Sequence, residues 1–161
     1  MRKRSKYRPR QIETNTMAAV MHRVATVTSH TEYLTTLRIK NHGALTQLTK
    51  GEATRADLDN LIAAFNITEA LYRRGFGTDY KAVVLQGQQA LRVVAARGAE
   101  TGHFVLRWDE MAALNSMMEL HDAQLDVISV LDMEQAVLDV RREYEAGKMI
   151  AIVERKDEST R

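Results

Sequence analysis

Residues 111–128, MAALNSMMELHDAQLDVI, decide the fold class of this chain. Apolar side chains recur in this stretch at intervals of three and four residues, and one histidine occupies a place in the series. The series is Met111, Leu114, Met118, His121, Leu125 and Ile128. Because this spacing places one side chain of every helical turn on the same face, it predicts a helix packed inside a bundle.

The flanking sequence predicts further helices of the same kind. Their starts are assigned to residues that can cap a helix: Thr14 or Thr16, Ser29, Thr54, Thr78 and Asp132. Ser29 with Glu32, and Thr54 with Asp57, have the spacing of capping boxes. Gly51, residues 75–77 and Gly147 are expected to end three of the helices. The first helix would bear Met17, Val20, Val24 and Val27 on one face, and the last Met133, Val137, Val140 and Tyr144.

Two glycine-containing stretches are interpreted separately. Residues 98–107 contain two glycines and are expected to form a loop with a brief extended piece around Phe104. Gly87 lies on the apolar face of a predicted helix. Since glycine costs about 1 kcal/mol there relative to alanine, another backbone is expected to approach closely at this position.

The chain is therefore predicted to be all-α, a single-domain bundle of five to six helices. Residues 1–13 are expected to be a disordered basic tail, residues 14–147 the helical bundle, and residues 148–161 a frayed C-terminal tail in which residues 149–153 could dock or form a strand. Pro9 is the only proline, which favours long helices over many short strands.

Composition excludes several classes of protein. The chain has no cysteine, so disulfides, thiolate metal sites and thiol catalysis are excluded. No apolar run approaches the roughly 20 residues that span a bilayer, and the charged start lacks the apolar stretch of a signal peptide. A cytoplasmic protein without membrane contact is expected. Because no phosphate loop, nucleophile elbow or zinc-finger spacing occurs, no enzyme activity and no cofactor are predicted.

The basic residues are concentrated at the N-terminus, which carries six of the 23. Residues 11–161 contain the remaining 17 basic residues and all 21 acidic residues, so they have a charge of −4. Cationic side chains with an interleaved aromatic suit nucleic-acid phosphates and stacking on a base. The candidate nucleic-acid-binding residues are Arg2, Lys3, Arg4, Lys6, Tyr7, Arg8 and Arg10. A solubilising tail, or one that contacts an acidic protein face, is the alternative, and DNA and RNA are not separated.

Three polar residues occupy places in the apolar series of three different helices: Asn41, Glu69 and His121. If these helices are neighbours, the three side chains could meet as a buried polar cluster. A carboxylate there would make the histidine easier to protonate. A hydrogen-bonded cluster that fixes helix register is the preferred interpretation, with catalysis or an error of helix phase as the alternatives.

An acidic row lies one residue further around the same helix, comprising Asn115, Glu119, Asp122 and Asp126. Oxygen ligands at helical spacing suit Mg²⁺ or Mn²⁺, so Glu119, Asp122 and Asp126 are weak metal candidates. The preferred interpretation of the acidic row is a solvated helix flank, or a surface that contacts arginine and lysine side chains. The spacing does not fit ferritin-like di-iron sites, and His121-Asp122 resembles the dyad of helical HD phosphohydrolases without that family's other ligands. Trp108 is interpreted as a packing anchor.

Five strings resemble a family of small proteins of unknown activity that are encoded by tailed phages and prophages of proteobacteria. They are KRSKYRP at 3–9, IKNHGA at 39–44, TEALY at 68–72, RGAETG at 97–102 and MELHDAQ at 118–124, within a resemblance that covers residues from about 3 to 150. The resemblance implies expression in the host cytoplasm during infection or lysogeny. A nucleic-acid-binding accessory protein is the first hypothesis. A protein-binding modulator or inhibitor of a host factor, acting through a helical face, is the second hypothesis, and a metal-dependent hydrolase is the third. A host or phage protein partner and a homo-oligomer are further options.

Overall fold

The structure is a computed structural model that describes residues 25–26 and 31–147. These residues form five α-helices and one short 3-10 helix, with no strand beyond two isolated bridges. The elements are α1 (Thr31–Lys50), α2 (Arg55–Arg73), the 3-10 helix (Thr78–Tyr80), α3 (Lys81–Thr101), α4 (Trp108–Val127) and α5 (Val130–Glu145). The all-α bundle that the sequence predicts is confirmed.

Several predictions fall outside the described residues. They are the disordered tail at 1–13, the helix bearing Met17, Val20, Val24 and Val27, the Ser29 cap and the C-terminal tail at 148–161. The chain just before α1 is described at Ala25 and Thr26. The Val130 amide donates to the Ala25 carbonyl at 2.9 Å, and Thr26 forms an antiparallel bridge with Ser129. The chain therefore enters the bundle beside the start of α5.

Helix α2 lies at the centre of the bundle, since it packs against α1, α3, α4 and α5. The main core is built from α1 to α4 around the buried ring of Phe65. A smaller apolar cluster joins the ends of α2 and α4 to α5, and its buried members include Leu71, Leu125, Ile128 and Ala136. The predicted series from Leu114 to Ile128 is buried, because α4 faces both α3 and α2 along its length.

The helix starts follow local hydrogen bonding, which corrects two assignments. Asp57 accepts the Thr54 amide at 2.8 Å and donates its own amide to the Thr54 hydroxyl, so this capping box is confirmed. Asp132 does not cap α5, because Ser129 is the cap and Asp132 accepts the Ser129 amide at 2.9 Å. Thr78 does not cap α3 either. A 3-10 turn that begins after Gly77 delays the start of α3 to Lys81.

The predicted loop at 98–107 is shorter than expected, because α3 continues through Gly98 and ends at Gly102. Gly98 does not break the helix. It makes room for the Phe104 ring, since a Cβ at position 98 would lie 3.0 Å or less from ring carbons. Gly102 adopts a φ of +77°, which ends the helix in the left-handed region. The extended piece is reduced to one bridge between Phe104 and Ala53.

Two apolar side-chain predictions are wrong. Trp108 is not a packing anchor, because 80% of the residue is exposed at the first turn of α4. In α5, Met133 and Val140 are half-buried, whereas Val137 and Tyr144 are exposed. Helix α5 packs mainly on α2 through Ala136, so half of its predicted stripe is turned away from that contact. No helix among the described residues is long and apolar enough to cross a membrane.

The close approach expected at Gly87 is observed, although the neighbour is a side chain of α4 and not another backbone. A Cβ at position 87 would lie 2.8 Å from the Met117 Cβ and still closer to its sulfur. Because the Met117 Cβ is held by the helix backbone, rotation of the side chain cannot relieve the overlap fully. Helices α3 and α4 can therefore pack at this distance only with glycine at position 87.

We predict opposite effects for alanine at two helical glycines. Gly87→Ala should lower the free energy of unfolding by about 1–3 kcal/mol, because overpacking outweighs the better helix propensity. Gly43→Ala is the matched control. Position 43 is exposed within α1 with nothing within 4 Å of an added Cβ, so this change should stabilise by about 0.5–1 kcal/mol. Urea unfolding followed by circular dichroism measures both, and equal stabilisation would contradict the packing described.

Candidate functional site

Two of the three polar residues that the sequence singles out meet in the core, where α1 faces α4. The Asn41 side-chain nitrogen lies 3.3 Å from His121 Nε2, and both residues are buried. The third partner is Thr68 of α2, whose hydroxyl lies 2.8 Å from His121 Nδ1. Asn41, Thr68 and His121 are called the polar junction below. It connects three helices at one point.

The hydrogen bonds of the polar junction determine the protonation state of the imidazole. The Asn41 side-chain nitrogen can only donate, so His121 Nε2 must accept. The proton of a neutral ring is then on Nδ1, which donates to the Thr68 hydroxyl. That hydroxyl in turn donates to the Ala64 carbonyl at 3.1 Å. The chain of donors is complete with a neutral His121, and a second ring proton would point at another donor.

Burial lowers the pKa of His121 to about 4, and this effect outweighs the opposing influence of the Asp122 carboxylate. The expectation that this histidine would be easier to protonate is therefore wrong. It depended on a buried carboxylate partner, and the junction contains none. His121 is uncharged at neutral pH and serves as a packing and hydrogen-bonding group.

Glu69 is not part of the polar junction. It lies one position further around α2, is half-buried, forms an ion pair with Arg73 and accepts from Gln88 at 2.9 Å. The true inward series of α2 is Leu58, Leu61, Ala64, Phe65, Thr68 and Leu71. Glu69 lies beside Thr68 and not within this series, so the prediction that Glu69 faces inward is wrong. Thr68 was missed because a threonine carries no apolar signal of its own.

Gln124 of α4 is a second buried polar residue that sequence reasoning missed. Its side-chain nitrogen donates to the Thr68 carbonyl at 3.1 Å and to the Phe76 carbonyl at 3.0 Å. These bonds hold the end of α2 and the turn after it against α4. Helical periodicity gave no signal, because Gln124 lies beside the series that passes through His121 and Leu125.

The acidic row of α4 contacts basic residues of α1. Asp122 lies 2.7 Å from His42 Nε2, and Asp126 accepts from Arg38 at 2.6 Å. Two consecutive residues of α1, Asn41 and His42, thus face two consecutive residues of α4. The inner members form part of the polar junction, and the outer members form a hydrogen bond nearer the surface. Glu119 is exposed.

The same geometry argues against a metal centre here. Among residues 31–147, no group of three histidine or carboxylate side chains is placed to hold a metal ion. His121 and Asp122 also point in different directions, one into the core and one to the surface. Both ring nitrogens of His121 are already hydrogen bonded. The pair therefore does not reproduce the dyad of the HD phosphohydrolases.

The most buried carboxylate of the described residues is Glu110, in the first turn of α4. Arg97 donates to it from α3 at 3.1 Å, and the Arg107 amide donates at 2.8 Å. Burial alone would raise the pKa of Glu110, but the hydrogen bonds from Arg97 and Arg107 outweigh it and hold that pKa below its ordinary value. Arg97 also donates to the Val105 carbonyl at 2.6 Å. This ion pair fixes the connection between α3 and α4.

The described body is anionic, and much of its positive charge is neutralised internally. Residues 31–147 contain 12 basic and 17 acidic residues, a charge of −5 with histidines neutral. Seven of the 12 basic residues form ion pairs with carboxylates: Arg38, Arg55, Arg73, Arg74, Arg97, Arg141 and Arg142. The seven predicted nucleic-acid-binding residues at 2–10 lie outside the described residues.

Comparison with family models, with curated proteins and with solved structures finds no match to this chain.

We predict that His121 makes stability depend on pH. In the unfolded chain it takes up a proton near pH 6.5, whereas in the folded protein it does so only near pH 4. The stabilisation is complete above pH 6.5 and is lost as pH falls towards 4, by up to about 3 kcal/mol.

Urea unfolding across this pH range measures the effect against two variants. In His121→Gln, the free energy of unfolding should fall less between pH 6.5 and pH 4 than in the wild type, once the contribution of the other titrating groups is subtracted from both. His103→Gln, at an exposed position, should leave the fall unchanged. The proposed role of burial is wrong if both variants retain the wild-type pH dependence.

Proposed function

We propose that this chain binds nucleic acid without sequence preference through residues 2–10, and that the helical body acts as an anionic carrier for that segment. The observation that carries this proposal is the separation of charge. Six cationic side chains lie within nine residues at one end, while residues 31–147 have a charge of −5. Because phosphate contacts need accessible cations, the N-terminal segment is the preferred place for them.

The internal ion pairs of the body strengthen this assignment. An arginine that already holds a carboxylate must break that contact before it can bind a phosphate. Arg73 illustrates the point, since it contacts both Glu69 and Glu143. A polyanion near such a surface is repelled overall. Binding through residues 2–10 would therefore orient the nucleic acid away from the body.

The chemistry of the segment suits backbone recognition. Arg2, Lys3, Arg4, Lys6, Arg8 and Arg10 would each neutralise a phosphate and release a bound counterion. Tyr7 would stack on a base, which adds affinity with little sequence preference because every base has an aromatic face. This mode of binding does not require any described side chain to contact base edges, so both DNA and RNA would be bound.

The point of attachment sets the reach of the segment. Ala25 is held beside the start of α5, 15 positions along the chain from Arg10. A fully extended chain of this length spans at most about 50 Å, and the helix predicted to bear Met17, Val20 and Val24 would reduce the span to roughly 35 Å. The cationic residues could thus contact nucleic acid well away from the acidic body. In the setting that the family resemblance implies, this would be an accessory protein in the cytoplasm of an infected bacterium.

The test compares two variants that each remove four positive charges. In the first, Arg2, Lys3, Arg4 and Lys6 are changed to glutamine. In the second, the exposed body residues Lys40, Lys50, Lys81 and Arg92 are changed to glutamine. Fluorescence anisotropy with a labelled oligonucleotide is measured over a range of salt concentrations. The first variant should reduce the slope of log K against log salt by about 3–4, and the second should leave the slope unchanged.

Equal losses in the two variants would assign binding to overall charge and contradict the proposal. The competing function, a modulator that binds a host or phage protein through a helical face, makes a different prediction. Its complex should survive high salt and should not depend on residues 2–10.

A further inference from the structure

An open groove runs along the outer face of α3 and α4, with a volume of about 790 Å³. Helix α3 contributes Leu85, Gln89 and Val93 to one wall, and α4 contributes Trp108, Ala112 and Ser116 to the other. On each helix the three residues are four apart, so they form a continuous ridge. Two such ridges with a channel between them are the geometry in which further helices pack.

The groove combines a projecting aromatic ring with a concave floor. Trp108 is 80% exposed and is the only tryptophan of the chain, and Leu85 beside the channel is 59% exposed. The floor carries the small side chains of Ala90 and Ala113. Covering large apolar side chains such as these is worth about 1.5–3 kcal/mol each, so the face gains from being buried. A knob and a hole on one face are what a two-fold symmetric contact requires.

The charges along the groove are balanced, unlike those of the body as a whole. Arg107 and Asp109 offset one another, and Glu110 is neutralised by Arg97. The other polar lining residues, Gln86, Gln89 and Ser116, are uncharged. A face with balanced charge can contact its own copy without like-charge repulsion. The rest of the anionic surface would repel a second copy. It offers no electrostatic attraction to the cationic N-terminal segment.

We propose that a second copy of this chain covers the groove, so that α3 and α4 of two protomers form a two-fold symmetric four-helix interface. Each helix is about 30 Å long, and two side by side present a face on the order of 600 Å² in projection. Stable interfaces bury about 800 Å² of accessible surface per partner, which is on the same order as this face. Trp108 of each copy would insert into the channel of the other.

Dimerisation does not require nucleic acid, but a dimer would bind nucleic acid differently from a monomer. A dimer carries two N-terminal segments. If the proposed function holds, both could engage one nucleic-acid strand, and the second contact would be intramolecular. Dimerisation itself is measured on the protein alone, so its failure and the failure of the proposed function are distinguishable.

The experiment is sedimentation velocity on the full chain across about three orders of magnitude in concentration, with Trp108 fluorescence recorded on the same samples. The wild type should pass from 18.2 kDa to twice that mass as concentration rises. Trp108 emission should shift to the blue and become protected from iodide over the same range. Because the chain has one tryptophan, this signal reports on the groove alone.

Two groove variants and one matched control test the location. Leu85→Glu and Ala112→Glu, both at exposed positions, should weaken association by at least about 100-fold, because a charge would be buried in the interface. Ile39→Glu replaces an apolar residue of α1 that is at least as exposed as Leu85, and this variant should dimerise as the wild type does.

Circular dichroism confirms that each variant is folded. Either of two results would overturn the proposal. One is a wild type that remains monomeric with Trp108 accessible to iodide, which would leave the groove to a different partner. The other is a dimer that all three variants retain, which would place the interface elsewhere.

Discussion

The contact between α3 and α4 is the constraint on which the rest of the structure depends. Gly87 admits the Met117 side chain and Gly98 admits the Phe104 ring, so the two helices approach more closely than any larger residue would allow. This approach brings Arg97 within reach of Glu110 and thereby fixes the turn into α4. It also creates the outer groove, because two helices held side by side leave a channel between their exposed ridges.

The interior and the surface divide the polar residues between them. Inside, Asn41, Thr68 and His121 satisfy one another without any charge, which avoids the cost of burying an ion. Outside, carboxylates of α4 and α5 hold arginines of α1 and α2. The body is thus held together partly by its own cations. Residues 2–10, in contrast, contain six positive charges and no acidic residue.

Helix class, the Thr54 capping box and the series of α4 could be predicted because each depends on residues close in sequence. The polar junction could be predicted only in part. Asn41 and His121 could be found because they interrupt strong apolar series. Thr68 and Glu69 are adjacent in a helix with a broad inward face, so the sequence does not show which of the two is buried. Trp108 lies three residues before Met111 and so extends the apolar series backwards. Its exposure depends on Glu110, which takes the inward position in that turn because Arg97 lies opposite. The position of Arg97 opposite Glu110 results from tertiary packing, which the periodicity of the sequence does not predict.

The fixed point at Ala25 has a mechanical consequence. A pull on the N-terminal segment would first load the hydrogen bond between Ala25 and Val130, at the first residue of α5, before it reached α1 along the backbone. Helix α5 buries only Ala136 fully, whereas α2 and α4 each bury seven or more residues. Tension would therefore break this contact and then load the start of α1 through the covalent backbone, which would leave α5, the helix with the fewest buried residues, without its contact to the incoming chain.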